Sequence, residues 1–161
     1  MTSTRVRGAI ASSILTLVAT VAAGCGSSGS SGAGGELTAD LFKTKADAVC
    51  LASKTERDGF VKPTSASDAV DYLVKGLANT DDEIAKLAEL RPPVAQKADW
   101  DGTLALLRER NGLIKSTIDK VKGGADVQQT ITTDSVAIDA ANTKAKAKAA
   151  SFGFSVCGKS D

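Results

Sequence analysis

VDYLVKGLANTDDEIAKLAELRPP, residues 70–93, decides the fold. Its apolar side chains Val70, Leu73, Leu77, Ile84, Leu87 and Leu90 recur three or four residues apart, with Thr80 filling the missing step. That period collects them on one stripe of an α-helix and would scatter them over both faces of a strand. Ser67 is the expected cap, because a serine hydroxyl there accepts an N–H that the first turn leaves without a partner. Proline cannot continue a helix and restricts the residue before it, so Pro92-Pro93 must end the stripe. Pro93 also suits the first position of the next helix. Helices two and three are therefore predicted to be tightly joined and antiparallel.

Downstream, Trp100, Leu104, Leu107, Asn111, Ile114, Ile118 and Val121 repeat the spacing, Leu106 and Leu113 widen the stripe, and Gly123-Gly124 ends it. Asp126 is a candidate cap for a fourth helix, with Val127, Ile131, Ile138, Ala141, Ala145 and Phe152 facing inward. Its many threonines and serines make this helix the weakest in isolation. Upstream, a first helix is expected from a Thr38 cap, with Asp40 in its first turn, to Gly59, presenting Phe42, Ala46, Val49 and Cys50 inward. Residues 60–66, which include Pro63, read as a loop. Four amphipathic helices with short connections imply an all-α, up-down-up-down four-helix bundle, and no strand pattern competes.

Composition narrows the chemistry. Of 161 residues only 4% are aromatic and three are proline, a mixture that favours helices over sheet. The formal charge is +1, becoming −1 if Arg5 and Arg7 leave with an N-terminal leader, and neither value points to nucleic acid. Histidine is absent, which excludes imidazole bases and every metal or haem site that depends on imidazole. No cofactor or metal is expected.

The N-terminal residues Val21-Ala22-Ala23-Gly24-Cys25 resemble the lipobox of bacterial lipoproteins, in which the cysteine becomes lipidated and begins the mature chain. Ala22 stands where leucine is the usual choice, and a small residue is within the permitted set. Arg5 and Arg7 precede an uncharged, largely apolar run at residues 9–23, the pattern of a secretory leader. That run is shorter than the roughly 20 residues a membrane span requires. Residues 26–35, GSSGSSGAGG, cannot build a core and are expected to form a disordered tether with an end-to-end span of roughly 16 to 19 Å. The expected organisation is thus a signal peptide over residues 1–24, a lipidated Cys25 with its tether over residues 25–35, and a helical domain over residues 36–161.

With Cys25 assigned to lipid of the palmitate type, Cys50 and Cys157 remain as an even pair. In an up-down-up-down bundle the end of helix four returns towards helix one, which makes these two cysteines plausible partners. Their bridge would close a loop of about 107 residues, with a chain-entropy stabilisation of roughly 4 to 5 kcal/mol. The alternative, a reactive thiol, has no histidine or other thiolate-stabilising context in the sequence. Taken with the tether, Ile84-x-x-Leu87-x-x-Leu90-x-Pro92-Pro93, Trp100 and the ending Phe152-Gly153-Phe154-Ser155-Val156-Cys157-Gly158, the chain resembles small actinobacterial lipoproteins. That resemblance implies anchoring outside the cytoplasm at the cell membrane and carries no catalytic residues.

Several groups are candidates for function. Asp81-Asp82-Glu83, and Asp99 with Asp101, are read as a solvated acidic face, since adjacent helical residues do not converge on one point. Lys144, Lys146 and Lys148 either complement the end of the helix dipole or face anionic lipid headgroups or the cell wall. Tyr72 and Trp100 are candidates to line an apolar pocket between helices, against the plainer reading of a lone core tryptophan. Asn111 breaks the stripe of helix three, where a buried amide fixes register or touches a ligand, and exposure at a bundle edge is the alternative. Whether Thr80, Asn111 and Asp134 face the core is left open by the pattern. The leading expectation is a non-catalytic, membrane-anchored domain that binds an envelope protein or other envelope component. Its alternative is a carrier or sensor of a small apolar ligand held between the helices.

Overall fold

The computed structural model describes residues 35–159, so the leader, the lipobox with Cys25 and the tether up to residue 34 lie outside the described residues. Four helices follow one another: α1 (Ala39–Asp58), α2 (Ala66–Ala88), α3 (Val94–Lys122) and α4 (Val127–Ala150). The described residues include no strand. The all-α four-helix bundle expected from the apolar stripes is the observed fold.

Helix starts follow capping chemistry. Thr38 accepts the Leu41 N–H and Asp126 accepts the Gln129 N–H, as their positions predict. Helix α2 differs: Ser65, not Ser67, accepts the Asp68 N–H. Asp68 in turn accepts from the Thr64 N–H and hydroxyl, an exchange that fixes the start two residues earlier than the sequence suggested. Pro93 is the cap of α3 rather than its first residue, and having no side-chain acceptor it leaves the Val94 N–H to the Glu36 carboxylate. The Leu37 N–H bonds the Arg91 carbonyl at 3.0 Å. Residues just before α1 thereby hold the turn between α2 and α3.

Helices α1–α2, α2–α3 and α3–α4 pack as consecutive neighbours, and α2 also approaches α4. One expectation is corrected here. No Cα of α4 comes within 8 Å of a Cα of α1, so α4 itself does not return to α1. Residues 151–159 do so instead. They leave the helix at Ala150, place Phe152 beyond α4 rather than on it, and carry Cys157 to Cys50 with a Cα–Cα separation of 5.4 Å. Asp47 on α1 receives this segment by accepting the N–H groups of Ser155, Val156 and Cys157 at 2.7 to 2.9 Å. Gly158 turns the chain with φ +74°, where a Cβ would stand 2.9 Å from the Ala149 Cβ, so glycine alone fits after Cys157.

The core gathers at this end of the bundle. Phe42 is fully buried and meets the Trp100 ring edge-on at 4.9 Å, and Phe152 and Phe154 complete the aromatic cluster. Ile84, Leu87, Leu104, Ala149 and the disulfide surround it. Outside this cluster Ile118, Ala141 and Ala145 are the remaining buried apolar residues among those described. The bundle is therefore well packed at the disulfide end and thinner towards the other.

Candidate functional site

Leu73 and Leu77 on α2, Leu107 and Ile114 on α3, and Ile138 on α4 occupy inward positions of their stripes, yet each is only half-buried. An inward apolar side chain stays half-buried when no opposing helix reaches it, and here α1 and α4 fail to meet. The result is a cavity of about 380 Å³ between the helices, within the ordinary size of small-molecule pockets, roughly 300 to 1,000 Å³. Trp100, Phe154 and the Cys50–Cys157 bridge form its walls at the packed end, and Phe60 with Tyr72, edge-on at 6.3 Å, at the other.

Polar side chains cross the middle of this cavity, and their positions follow from the same helical period. On α1 the inward series Phe42, Ala46, Cys50 continues as Ser53 and Arg57, replacing apolar groups with polar ones. Arg57 Nη1 donates to Glu83 Oε2 at 3.0 Å and to Asn79 Oδ1 at 3.2 Å, and the Ser53 hydroxyl lies 2.6 Å from Glu83 Oε2. This network ties α1 to α2. On α3, Arg110 falls between Leu107 and Ile114 at the three-four spacing of the stripe. Its Nε and Nη2 donate to Asn111 Oδ1 at 3.2 and 3.0 Å, and Nη1 lies 3.5 Å from Asn142 Oδ1 on α4. Burial pushes the Arg110 guanidinium below its ordinary value, the neighbouring charge of Arg57 adds to this, and Glu83 and Asp81 oppose it. A guanidinium nevertheless stays protonated.

The three candidate pocket residues fare differently. Trp100, 2% exposed, and Tyr72 both line the cavity, so the core reading and the pocket reading of Trp100 hold together. Asn111 is buried but spends its amide within the protein: Nδ2 donates to Thr80 Oγ1 at 3.0 Å and Asp81 Oδ1 at 2.7 Å, while Oδ1 receives Arg110. It acts in register and orientation, and its neighbour Arg110 faces the cavity in its place. Thr80 is half-buried in that tie, and Asp134 is half-buried where it joins α4 to α3, accepting from the Thr117 hydroxyl at 2.8 Å and from Lys120 at 2.8 Å.

The acidic groups match the solvated reading except at Glu83: Asp81, Asp82, Asp99 and Asp101 are exposed, Asp82 in a pair with Lys86 and Asp81 accepting from Asn111, whereas Glu83 is half-buried in the tie to Arg57. Asp99 meets Lys148 at 3.1 Å and Asp101 meets Lys97 at 2.6 Å. Of the three lysines near the end of α4, Lys144 is exposed, Lys148 is paired and Lys146 lines the cavity. Sequence reasoning missed Arg110, Arg57 and Asp47, and read Glu83 only as part of the solvated acidic run. The available signal for the first two was a charged residue on an apolar stripe.

No helix among the described residues is long and apolar enough to cross a membrane. No family model, curated protein or solved structure matches the chain.

Proposed function

We propose that the protein is a lipid-anchored, extracytoplasmic helical binding domain whose site is the cavity between α1 and α4, where it holds a small, largely apolar molecule. Anchoring rests on the sequence of residues 1–35, which reads as a leader, a lipidated Cys25 and a flexible tether. The binding reading rests on one observation: Leu73, Leu77, Leu107, Ile114 and Ile138 stand on inward stripes yet remain half-buried around a cavity of about 380 Å³. Leaving that much apolar surface wetted costs stability, at roughly 25 cal/mol per Å², and a bound hydrocarbon would recover it. The large exposed hydrophobics Leu51, Val61, Val94 and Val136 are single residues dispersed over α1, the α1–α2 loop, α3 and α4. They give less support to a protein-binding face than the cavity gives to a ligand. The site is read as non-catalytic.

Native mass spectrometry of the membrane-extracted protein tests both halves. The expected result is a chain beginning at Cys25 with acyl mass, carrying a non-covalent small molecule that denaturation releases. A chain without N-terminal lipid sinks the anchoring half. A protein that is empty on extraction, and whose Trp100 emission is unmoved by membrane lipid extracts, sinks the ligand half.

A further inference from the structure

The cavity is apolar along its length but not electrically neutral. Arg57, Arg110, Lys146, Lys159 and Lys54, which pairs with Asp58, line it, and among the described residues Glu83 is the one acidic lining side chain. Glu83 is already engaged by Arg57. Arg110 is half-buried, and its hydrogen bonds run to the amide oxygens of Asn111 and Asn142 rather than to a carboxylate. A half-buried guanidinium whose hydrogen bonds all go to neutral amides, while Glu83 and Asp81 act on it as nearby charges without bonding it, leaves unused the fork geometry by which arginine matches carboxylate and phosphate oxygens. Asn111 holds Nε and Nη2 from one side and is itself fixed by Thr80 and Asp81, so the guanidinium is oriented before any ligand arrives. Apolar walls lie on both sides of it: Trp100 and Leu87 towards the disulfide, Leu73 and Ile138 towards the opposite end.

We propose that the molecule held in this cavity is a single-chain amphiphile with an anionic head, its acidic group bound by Arg110 and its hydrocarbon chain laid along the apolar walls. This rests on the reading of the cavity as a ligand site and adds to it the charge of the ligand. Lys146 and Lys159 stand at the same cavity from α4 and the C-terminal segment and add to the field that attracts such a head. A carboxylate and a phosphate monoester present the same chemistry to the guanidinium.

The test uses the full chain with Cys25→Ser, so that no lipid is attached, and with the Cys50–Cys157 bond formed. Trp100 is the chain's one tryptophan and stands in the cavity wall, so its emission reads occupancy. Dodecanoate, dodecyl phosphate and dodecanol are titrated below their micelle concentrations at about pH 8, where the carboxylic acid is ionised. Either anion is expected to bind at least about tenfold more tightly than the alcohol, and the tighter of the two names the head. Arg110→Gln, checked for folding by circular dichroism, is expected to remove most of the anions' preference over the alcohol, leaving the weaker pull of Lys146 and Lys159. If that variant does not fold, Arg110→Lys replaces it, and there the preference must shrink without vanishing. Dodecanol binding as tightly as the anions, or a preference unchanged by the Arg110 variants, overturns the anionic head while the apolar ligand site stands. Failure of all three amphiphiles to move the emission overturns the site itself.

Discussion

Asp47 shows how one residue can decide where a chain end goes. Burial raises its pKa, but the N–H groups of Cys157, Ser155 and Val156, with the charge of Lys159, outweigh that and hold the carboxyl below its ordinary 3.8. A carboxyl depressed in the folded state adds stability that is fully present above its unfolded value and fades as pH falls through the lower folded one. Asp47→Asn is therefore expected to cost about 1 to 2 kcal/mol at neutral pH, after allowance for its partial exposure. As pH falls below 3.8 and through the lower folded value, the gap between variant and parent should narrow. Urea denaturation at neutral pH and in that acid range checks this, and a gap that stays constant would mean that the carboxylate charge is irrelevant. Asp134, held down by Lys120 and Thr117, contributes in the same direction and is common to both proteins.

At the scale of elements, each consecutive helix pair is joined by a polar tie. Ser53, Arg57, Asn79 and Glu83 join α1 to α2, Thr80, Asp81 and Asn111 join α2 to α3, and Thr117, Lys120 and Asp134 join α3 to α4. Removing one partner of a partly buried network leaves the others without compensation. Glu83, 17% exposed at its side chain, should thus matter far more than its neighbour Asp82 at 55%. Glu83→Ala is expected to cost about 2 to 3 kcal/mol and Asp82→Ala no more than about 0.5 kcal/mol. Thermal melts of the two variants make the comparison, and equal losses would show the tie to be energetically idle.

The helices, the turn at Pro92-Pro93, the caps Thr38 and Asp126, and the pairing of Cys50 with Cys157 were legible because each is written in a local pattern or a count. The ties were half legible. Thr80 and Asn111 announce themselves as interruptions of apolar stripes, but a stripe carries no information about which polar residue stands opposite it. Glu83 looked solvated because its helical neighbours are charged, whereas its partner Arg57 sits on another helix; Asp81 is exposed as expected, yet accepts from Asn111 across the seam. The gap between α1 and α4 was not legible at all, since amphipathic spacing gives the direction of a face and not the distance to the next one.

At the scale of the molecule, α1 is the outlier. Its backbone packs on α2 alone among the helices, and it is otherwise held by the packing of Phe42 against Trp100, Phe152 and Phe154, by the bonds that Asp47 accepts from residues 155–157, and by the disulfide. Reduction of the bridge, which closes a separation of 107 residues, should remove roughly 4 to 5 kcal/mol, less any strain relieved. Its effect should be unequal. Hydrogen exchange with and without reductant is expected to show α1 and residues 151–159 losing protection before α3 and α4, and uniform loss would contradict the view of α1 as a separately held element.

The three polar ties and the single covalent bridge also make the bundle mechanically lopsided. Three seams resist separation because spreading them would strip hydrogen bonds, most of them partly shielded from water, whereas the fourth is riveted where the C-terminal segment meets α1 at Cys50–Cys157. Such a seam is expected to yield first, opening like a clothes peg away from that rivet. The width of a guest it could grip would then be set by the stiffness of the pivot.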